Sequence, residues 1–319
     1  MERRDKATPL ARFGQLHLIP RLKSSSILAC IHKQSSQGRA YHYLDYIRKF
    51  ISTFHERPSC LETSTPIISQ TQLVNLPNTT MTKLTSFKLL SFDVYGTLID
   101  WETGVINALQ PLLNTNNKTS SYTRKHLLQI YHKHEASQQT KTPEMTYCDL
   151  LSTIHPAIAA DLECEKPSEE TNKAFGDSVG QWPAFPDTVA ALHILKHHYK
   201  LVVLSNVDRT SFSKTNAGPL QNFPFDAILT AQDIGSYKPN LKNFEYMLKE
   251  VKERFGVEKE QVLQTAQSQF HDHHPAKKMG VKGAWIVRPG AEMGNQEEEV
   301  WDWKFDTLGE MAEAVEKEA

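Results

Sequence analysis

The chain has 319 residues, 39% of them hydrophobic and 23% charged, with 14 glycines. That is the make-up of a globular protein somewhat longer than one usual domain. No run approaches the ~18 consecutive apolar residues that a spanning helix requires, which argues against a membrane protein. Four cysteines (Cys30, Cys60, Cys148, Cys164) include no CxxC pair, which argues against a zinc ribbon and a disulfide scaffold and favours a reducing compartment.

The net charge of −1 conceals an asymmetry. Residues 1–80 hold eleven Lys and Arg against five Asp and Glu, so the remainder is acidic. An acidic remainder gives no sign of nucleic-acid binding. The basic stretch is rich in Ser, Thr and Gln, and only HYLDYIRKFISTF (42–54) has the character of a short helix. Three readings of residues 1–80 stand side by side: a transit-like targeting segment, a disordered tail, or leader sequence ahead of a natural start at Met81. A cytoplasmic location is expected, or a mitochondrial one if the segment is a targeting signal.

From Lys88 onward, short apolar runs alternate with amphipathic stretches. The runs are KLLSFDV (88–94), KLVVLSNV (200–207), AILTA (227–231), QVLQTA (261–266) and AWIVR (284–288). Between them lie helical patterns such as DTVAALHILKHHY (187–199) and LKNFEYMLKEVKERF (241–255). Continuous apolar strands, each followed by a helix, predict an α/β fold with a doubly wound parallel sheet. One gap breaks the alternation: WETGVINALQPLL, SYTRKHLLQIYHKHEASQQ, MTYCDLLSTIHPAIAADL and EETNKAFGDSVGQW all read as helix. The predicted organisation is an extension over 1–80, an α/β core from 81–100 and 184–319, and a helical cap over 101–183. Such a cap would cover the carboxyl ends of the strands, where open α/β sheets bind ligands.

The residues with chemical potential fall at those strand ends. Asp93 ends the first run, and Gly96 and Thr97 let the chain turn with amides facing the carboxylate. A carboxylate so placed is either a nucleophile or a cap for the next turn. Ser205 and Asn206 end the second run, as ligand-binding groups or as a plain turn. Lys238, before a helix that Pro239 helps to start, is a solvated lysine or a cation that keeps a neighbouring carboxylate anionic. Asp272, in QTAQSQFHDHHPAKKMG, is an N-cap or a partner of Asp93, of a metal or of a water. The histidines of HDHHP and HKH lack the spacing of a transition-metal site, and His271 or His132 is expected to line the pocket. Cys148 and Cys164 read as buried small apolar residues.

Taken together and in this order, DVYGT (93–97), Ser205–Asn206, YKP (237–239) and the loop ending at Asp272 carry a resemblance. From about Ser86 to Glu316 the chain resembles the haloacid dehalogenase superfamily, in particular its type II 2-haloacid dehalogenase branch and related fungal proteins. The resemblance implies a hydrolase of (S)-2-haloacid dehalogenase type, acting on a small anionic substrate without nucleic acid or membrane, and consistent with a homodimer. It implies that Asp93 displaces halide from a 2-haloacid with inversion, leaving an ester that water hydrolyses. It further implies that Lys238 holds Asp93 anionic, that Ser205 and Thr97 bind or orient carboxylates, and that Asn206 serves the leaving halide. Asp272 would position the hydrolytic water and Lys238.

Several positions depart from the family pattern. Where the phosphatase branches place a second aspartate as general acid, this chain has Tyr95, whose ordinary pKa near 10 suits that task poorly. Where the dehalogenases place a halide-receiving arginine, the alignment puts His132. Phe244 replaces an active-site tyrosine, and Gln267 and Gln269 replace a serine and an asparagine of the fourth loop. All of these are expected to contact substrate. No cofactor is expected. The alternatives are a magnesium phosphatase, with the ion on Asp93, the Tyr95 carbonyl and Asp272, and a binding module without catalysis.

Overall fold

The computed structural model describes residues 82–319. The readings of residues 1–80 lie outside the described residues. Six strands form one parallel sheet: β1 (Leu89–Phe92), β2 (Lys200–Ser205), β3 (Ala227–Thr230), β4 (Val262–Ala266), β5 (Lys282–Ile286) and β6 (Trp303–Phe305). Their order across the sheet is β3-β2-β1-β4-β5-β6. β1 pairs with β2 on one side and with β4 on the other. The chain therefore reverses its direction of travel across the sheet between β1 and β4, and that switch point opens a crevice at the carboxyl edge.

The alternation of side chains along the strands sorts the core into two layers. Leu89, Val202, Leu204 and Val262 face one side with Phe244, Met247 and Val251. Leu90, Phe92, Leu201, Val203 and Leu263 face the other, with Ala191, Leu192, Leu195, Leu308 and Met311. The helices connecting the strands supply these layers. Between β1 and β2 run α1 (Trp101–Thr115), α2 (Arg124–Lys141), α3 (Tyr147–Asp161), α4 (Glu169–Asp177) and α5 (Thr188–Lys196). The chain continues through α6 (Arg209–Ala217), α7 (Ala231–Ile234), α8 (Lys242–Phe255), α9 (His274–Met279) and α10 (Leu308–Glu318). The predicted α/β doubly wound parallel sheet is the observed architecture.

Helix starts follow local chemistry. Asp100, Thr123, Ser168, Asp208 and Thr307 each accept a hydrogen bond from an amide of the first turn that follows. Such a cap satisfies one of the donors that a helix N-terminus leaves unpaired. The sixth strand has no counterpart among the predicted runs. It is three residues long, alternates half-exposed and exposed positions, and pairs only with β5. Its Trp303 packs edge-on against Phe87, with ring centroids 5.4 Å apart.

Cys148 and Cys164 are half-buried rather than buried. No helix among the described residues is long and apolar enough to cross a membrane. α3 and α4 approach so closely that a Cβ at Gly176 would lie 2.1 Å from Ser152 Oγ and 2.3 Å from the Cys148 carbonyl oxygen. The carbonyl belongs to a helix and cannot swing away. Gly176→Ala is expected to destabilise the protein by about 1–3 kcal/mol through overpacking. A lowered urea midpoint at unchanged slope would register this, and an unchanged midpoint would mean that the two helices separate freely.

Candidate active site

The parallel register brings the ends of β1, β2 and β4 to one edge. Phe92 pairs with Val203 and Thr265, so Asp93, Ser205 and Gln267 stand at similar heights around the crevice. The loop ahead of α8 carries Lys238 into the same place. A pocket there is lined by Asp93, Tyr95, Ser205, Asn206, Lys238, Gln267 and Asp272, with His132 and His271.

Lys238 is the hub. Its ammonium donates to Asp93 Oδ1 at 2.9 Å, Asp272 Oδ1 at 2.8 Å and the Leu204 carbonyl at 2.9 Å. An ammonium has three protons, and all three are engaged. Lys238 is 2% exposed, Asp93 6% and Asp272 0%. Burial opposes the charge on Lys238, but the carboxylates of Asp272 and Asp93 outweigh it and raise its pKa. Burial pushes Asp272 upward against the pull of Lys238. Gln264, buried within β4, donates to the same Asp272 oxygen at 2.8 Å. The other oxygen, Oδ2, is buried without a partner, as is Ser205 Oγ.

Neighbouring groups lock the frame. Asn206 clamps the Lys238 backbone from both directions: Oδ1 accepts from its N–H at 2.7 Å and Nδ2 donates to its carbonyl at 3.0 Å. Thr97 Oγ1 donates to Asp93 Oδ2 at 2.7 Å and accepts from the Gln267 amide at 2.9 Å. Arg288 Nε donates to the Thr97 carbonyl at 2.9 Å. The turn after Asp93 uses Gly96 at φ +105°. Its amides do not face the carboxylate as expected. The Gly96 N–H bonds the Ile99 carbonyl, and those of Thr97, Leu98 and Ile99 converge on the Val94 carbonyl.

Tyr95 does not point its hydroxyl at a reacting group. It pairs with Thr215 Oγ1 at 2.8 Å, while Thr215 donates onward to the Val179 carbonyl at 3.5 Å. Burial pushes the pKa of the phenol well above the ordinary value. His271, held by Ser268 at 3.1 Å, is driven down to about 4 by burial and by the charge of Lys238.

Three expected substrate contacts are corrected. Phe244 is fully buried between α8 and the sheet, because Phe244, Met247 and Val251 form the apolar stripe of that helix. Gln269 is also fully buried and accepts from the Val300 amide at 2.8 Å. It opens a π-helical turn, Gln269–His273, within which Asp272 reaches Lys238. Thr97 lies behind Asp93 rather than in the pocket wall.

The sequence reading missed the helical wall, where Trp101, Glu135, Gln139 and Tyr147 line the pocket, and also Met293 and Gly294, whose carbonyls accept from Gln267 and Gln269. Glu135 and Gln139 follow His132 at helical spacing on α2, a pattern that could have marked them. Tyr147 and Met293 left no local signal. Among the described residues, no group of three or more His, Cys, Asp or Glu could hold a metal ion.

Comparison with known proteins bears on this site. Residues 90–286 match the family model for haloacid dehalogenase-like hydrolases. No curated protein matches the chain in sequence. Among solved structures, the L-2-haloacid dehalogenase from Xanthobacter autotrophicus is 19% identical, with a TM-score of 0.60 over 73% of this chain and 100% of its own. The same enzyme with chloropropionic acid covalently bound is 17% identical, with a TM-score of 0.59 over 73% and 100%. A magnesium-bound HAD-hydrolase from Bacillus subtilis is 16% identical, with a TM-score of 0.57 over 72% and 99%. At these identities the likeness is one of fold.

The ion network has a direct test. Replacing Lys238 by Met would leave two buried carboxylates facing each other, at a cost of about 3–5 kcal/mol at pH 8. Unpaired and buried, they would take up a proton more readily than in the wild type, so the deficit should shrink as the pH falls toward 5. Urea denaturation at the two pH values measures both. A pH-independent deficit would contradict the assigned network.

Proposed function

The chain belongs to the haloacid dehalogenase-like hydrolases, and from that premise we propose that it cleaves a carbon–halogen bond in a small 2-haloacid or related electrophile, with Asp93 as nucleophile. The observation that carries this reading is the engagement of Tyr95 by Thr215. The position where a phosphatase needs a proton donor holds a phenol engaged in a part-buried hydrogen bond with Thr215. An alkoxide leaving group requires such a donor, whereas a halide leaves without one.

In the proposed reaction, an Asp93 oxygen bonds to the carbon bearing the halogen as the carbon–halogen bond breaks, and the halide departs with the bonding pair. The resulting ester is attacked at the Asp93 carboxyl carbon by water. A 2-hydroxy acid leaves, a proton passes to solvent, and the carboxylate is restored. Lys238 and Thr97 each hold one oxygen of Asp93, fixing its attack direction. Ser205 Oγ, buried and without a partner, is free to donate to the substrate carboxylate. Asn206, whose amide is engaged with Lys238, acts through the position of that loop. The covalent chloropropionic acid in the Xanthobacter enzyme supports an ester route in this fold.

Magnesium fits the donor set poorly. Asp93 and Asp272 already flank the Lys238 ammonium. Gln267 offers only a neutral amide oxygen, a weaker ligand for a hard cation than a carboxylate. A reluctantly dehydrated dication prefers free carboxylates and open positions. Turnover is accordingly expected to survive chelation.

Asp93→Asn should lower dehalogenation of 2-chloropropionate by more than ~10³-fold while the protein still unfolds in one cooperative urea transition of wild-type slope. In a single turnover with excess enzyme in ¹⁸O-water, label should enter the Asp93 carboxylate rather than the first product, as read by peptide mass spectrometry. Label in the product alone would mean direct attack by water and would defeat the assignment of Asp93 as nucleophile. Phosphate-ester hydrolysis that requires added magnesium would replace the dehalogenase reading altogether.

A further inference from the structure

We propose that Glu135, braced by Tyr147 and Tyr131, is a positioning residue that keeps His132 cationic at the corner of the pocket receiving the departing halide. The proposal rests on the dehalogenase reading above. It follows from the wall that α2 presents to the pocket, where His132, Glu135 and Gln139 share one helical face.

Glu135 Oε2 lies 3.4 Å from His132 Nδ1. Its other oxygen accepts from the Tyr147 hydroxyl at 2.5 Å. With its single proton committed there, the Tyr147 oxygen accepts from Tyr131, 2.7 Å away. Tyr131 is fully buried and Tyr147 nearly so. The carboxylate is thus held from behind by a chain of two phenols, and its free edge is turned to the imidazole. The arrangement leaves His132 Nε2, which makes no hydrogen bond among the described residues, to meet an anion.

The hydrogen bond from Glu135 raises the pKa of His132 against the opposing effect of burial. The titratable groups facing this corner across the pocket are Asp93, Tyr95, Lys238, His271 and Asp272. Lys238 is ion-paired with both aspartates and so adds no net positive charge, and His271 is neutral near pH 7 because its pKa falls to about 4. On α2 itself, Lys133 and His134 are turned to Asp161. Glu135 is therefore the group that sets the charge of His132.

An arginine in this place would stay charged at every working pH, but an imidazolium does not. As the pH rises through the elevated His132 pKa, the corner loses its cation and halide departure slows. No proton is transferred in the step: the Asp93–carbon bond forms, the carbon–halogen bond breaks, and the anion is met by an N–H.

The test combines activity with a direct titration of His132. For wild type, kcat/KM for 2-chloropropionate should fall about tenfold per pH unit above the His132 midpoint. His132→Arg should remove that fall. Glu135→Gln should move it about one pH unit toward acid, since a neutral amide replaces the carboxylate. In parallel, NMR of ¹³C-labelled histidines should place the wild-type His132 midpoint above the ordinary 6.5 and the Glu135→Gln midpoint lower. A Glu135→Gln midpoint equal to wild type overturns the proposal, whatever the activity. A loss of activity in Glu135→Gln with an unmoved pH profile reduces Glu135 to a structural prop and overturns it as well. Should 2-chloropropionate not react while the NMR midpoints behave as stated, the dehalogenase reading fails and the positioning of His132 stands.

Discussion

A single ammonium holds the catalytic edge of this sheet together. Lys238 reaches from the loop ahead of α8 into a space where two carboxylates and a strand carbonyl are otherwise without compensation. Bringing three charges out of water carries a desolvation penalty that attraction alone offsets only when the geometry is tight and the remaining polar atoms are satisfied. The surrounding bonds meet that condition in part, since Asp272 Oδ2 stays buried without a partner. Gln264 supports Asp272, Thr97 supports Asp93, and Asn206 fixes the backbone that delivers the lysine. Each supporting group comes from a different strand end or loop, so the network also ties β1, β2 and β4 together at their carboxyl ends.

The location of this network follows from topology. Because β2 and β4 flank β1 on opposite sides, the chain segments leaving the three strands diverge and leave a crevice above β1. Asp93 stands at its centre. The loop behind it is held by Arg288 through the Thr97 carbonyl and by Thr188 through the Leu98 carbonyl. The carboxylate is thereby positioned by residues that never touch the pocket, which relieves substrate binding of the entropy of organising it.

Five of the six strands were legible in the sequence, because a strand buried on both faces writes an unbroken apolar run. The sixth was not, since Trp303–Phe305 is a short edge with a lysine at its middle. Asp93 and Ser205 were legible for a related reason: polar residues at the ends of apolar runs must sit at one edge of a parallel sheet. Lys238 and Asp272 stand further along the chain, beyond α7 and β4, and it was the order of the motifs that marked them. Phe244 was misplaced by alignment although the stripe Phe244, Met247, Val251 already turned it to the core. Gln269 was misplaced because its partner, the Val300 amide, lies 31 residues further along the chain, a contact that no local pattern encodes. Glu135 and Tyr147 escaped because their meeting depends on how α2 and α3 pack, which no local pattern encodes.

The two walls of the pocket differ in kind. On the sheet side most donors are engaged, while Ser205 Oγ, Asp272 Oδ2 and Gln264 Oε1 are among the buried side-chain oxygens without partners. A rigid frame suits a reaction whose demands are geometric: a carboxylate aimed at carbon and a departing anion opposite. On the helical side, Trp101, His132, Glu135, Gln139 and Tyr147 present an aromatic surface, an ion pair and an amide. Those residues belong to segments inserted between β1 and β2, outside the sheet whose order fixes Asp93. Changes there can alter which electrophile is admitted, and how its leaving group is received, while the bonds around Lys238 stay intact. In the proposed reaction the nucleophile would therefore belong to the sheet, and selectivity to the insertion.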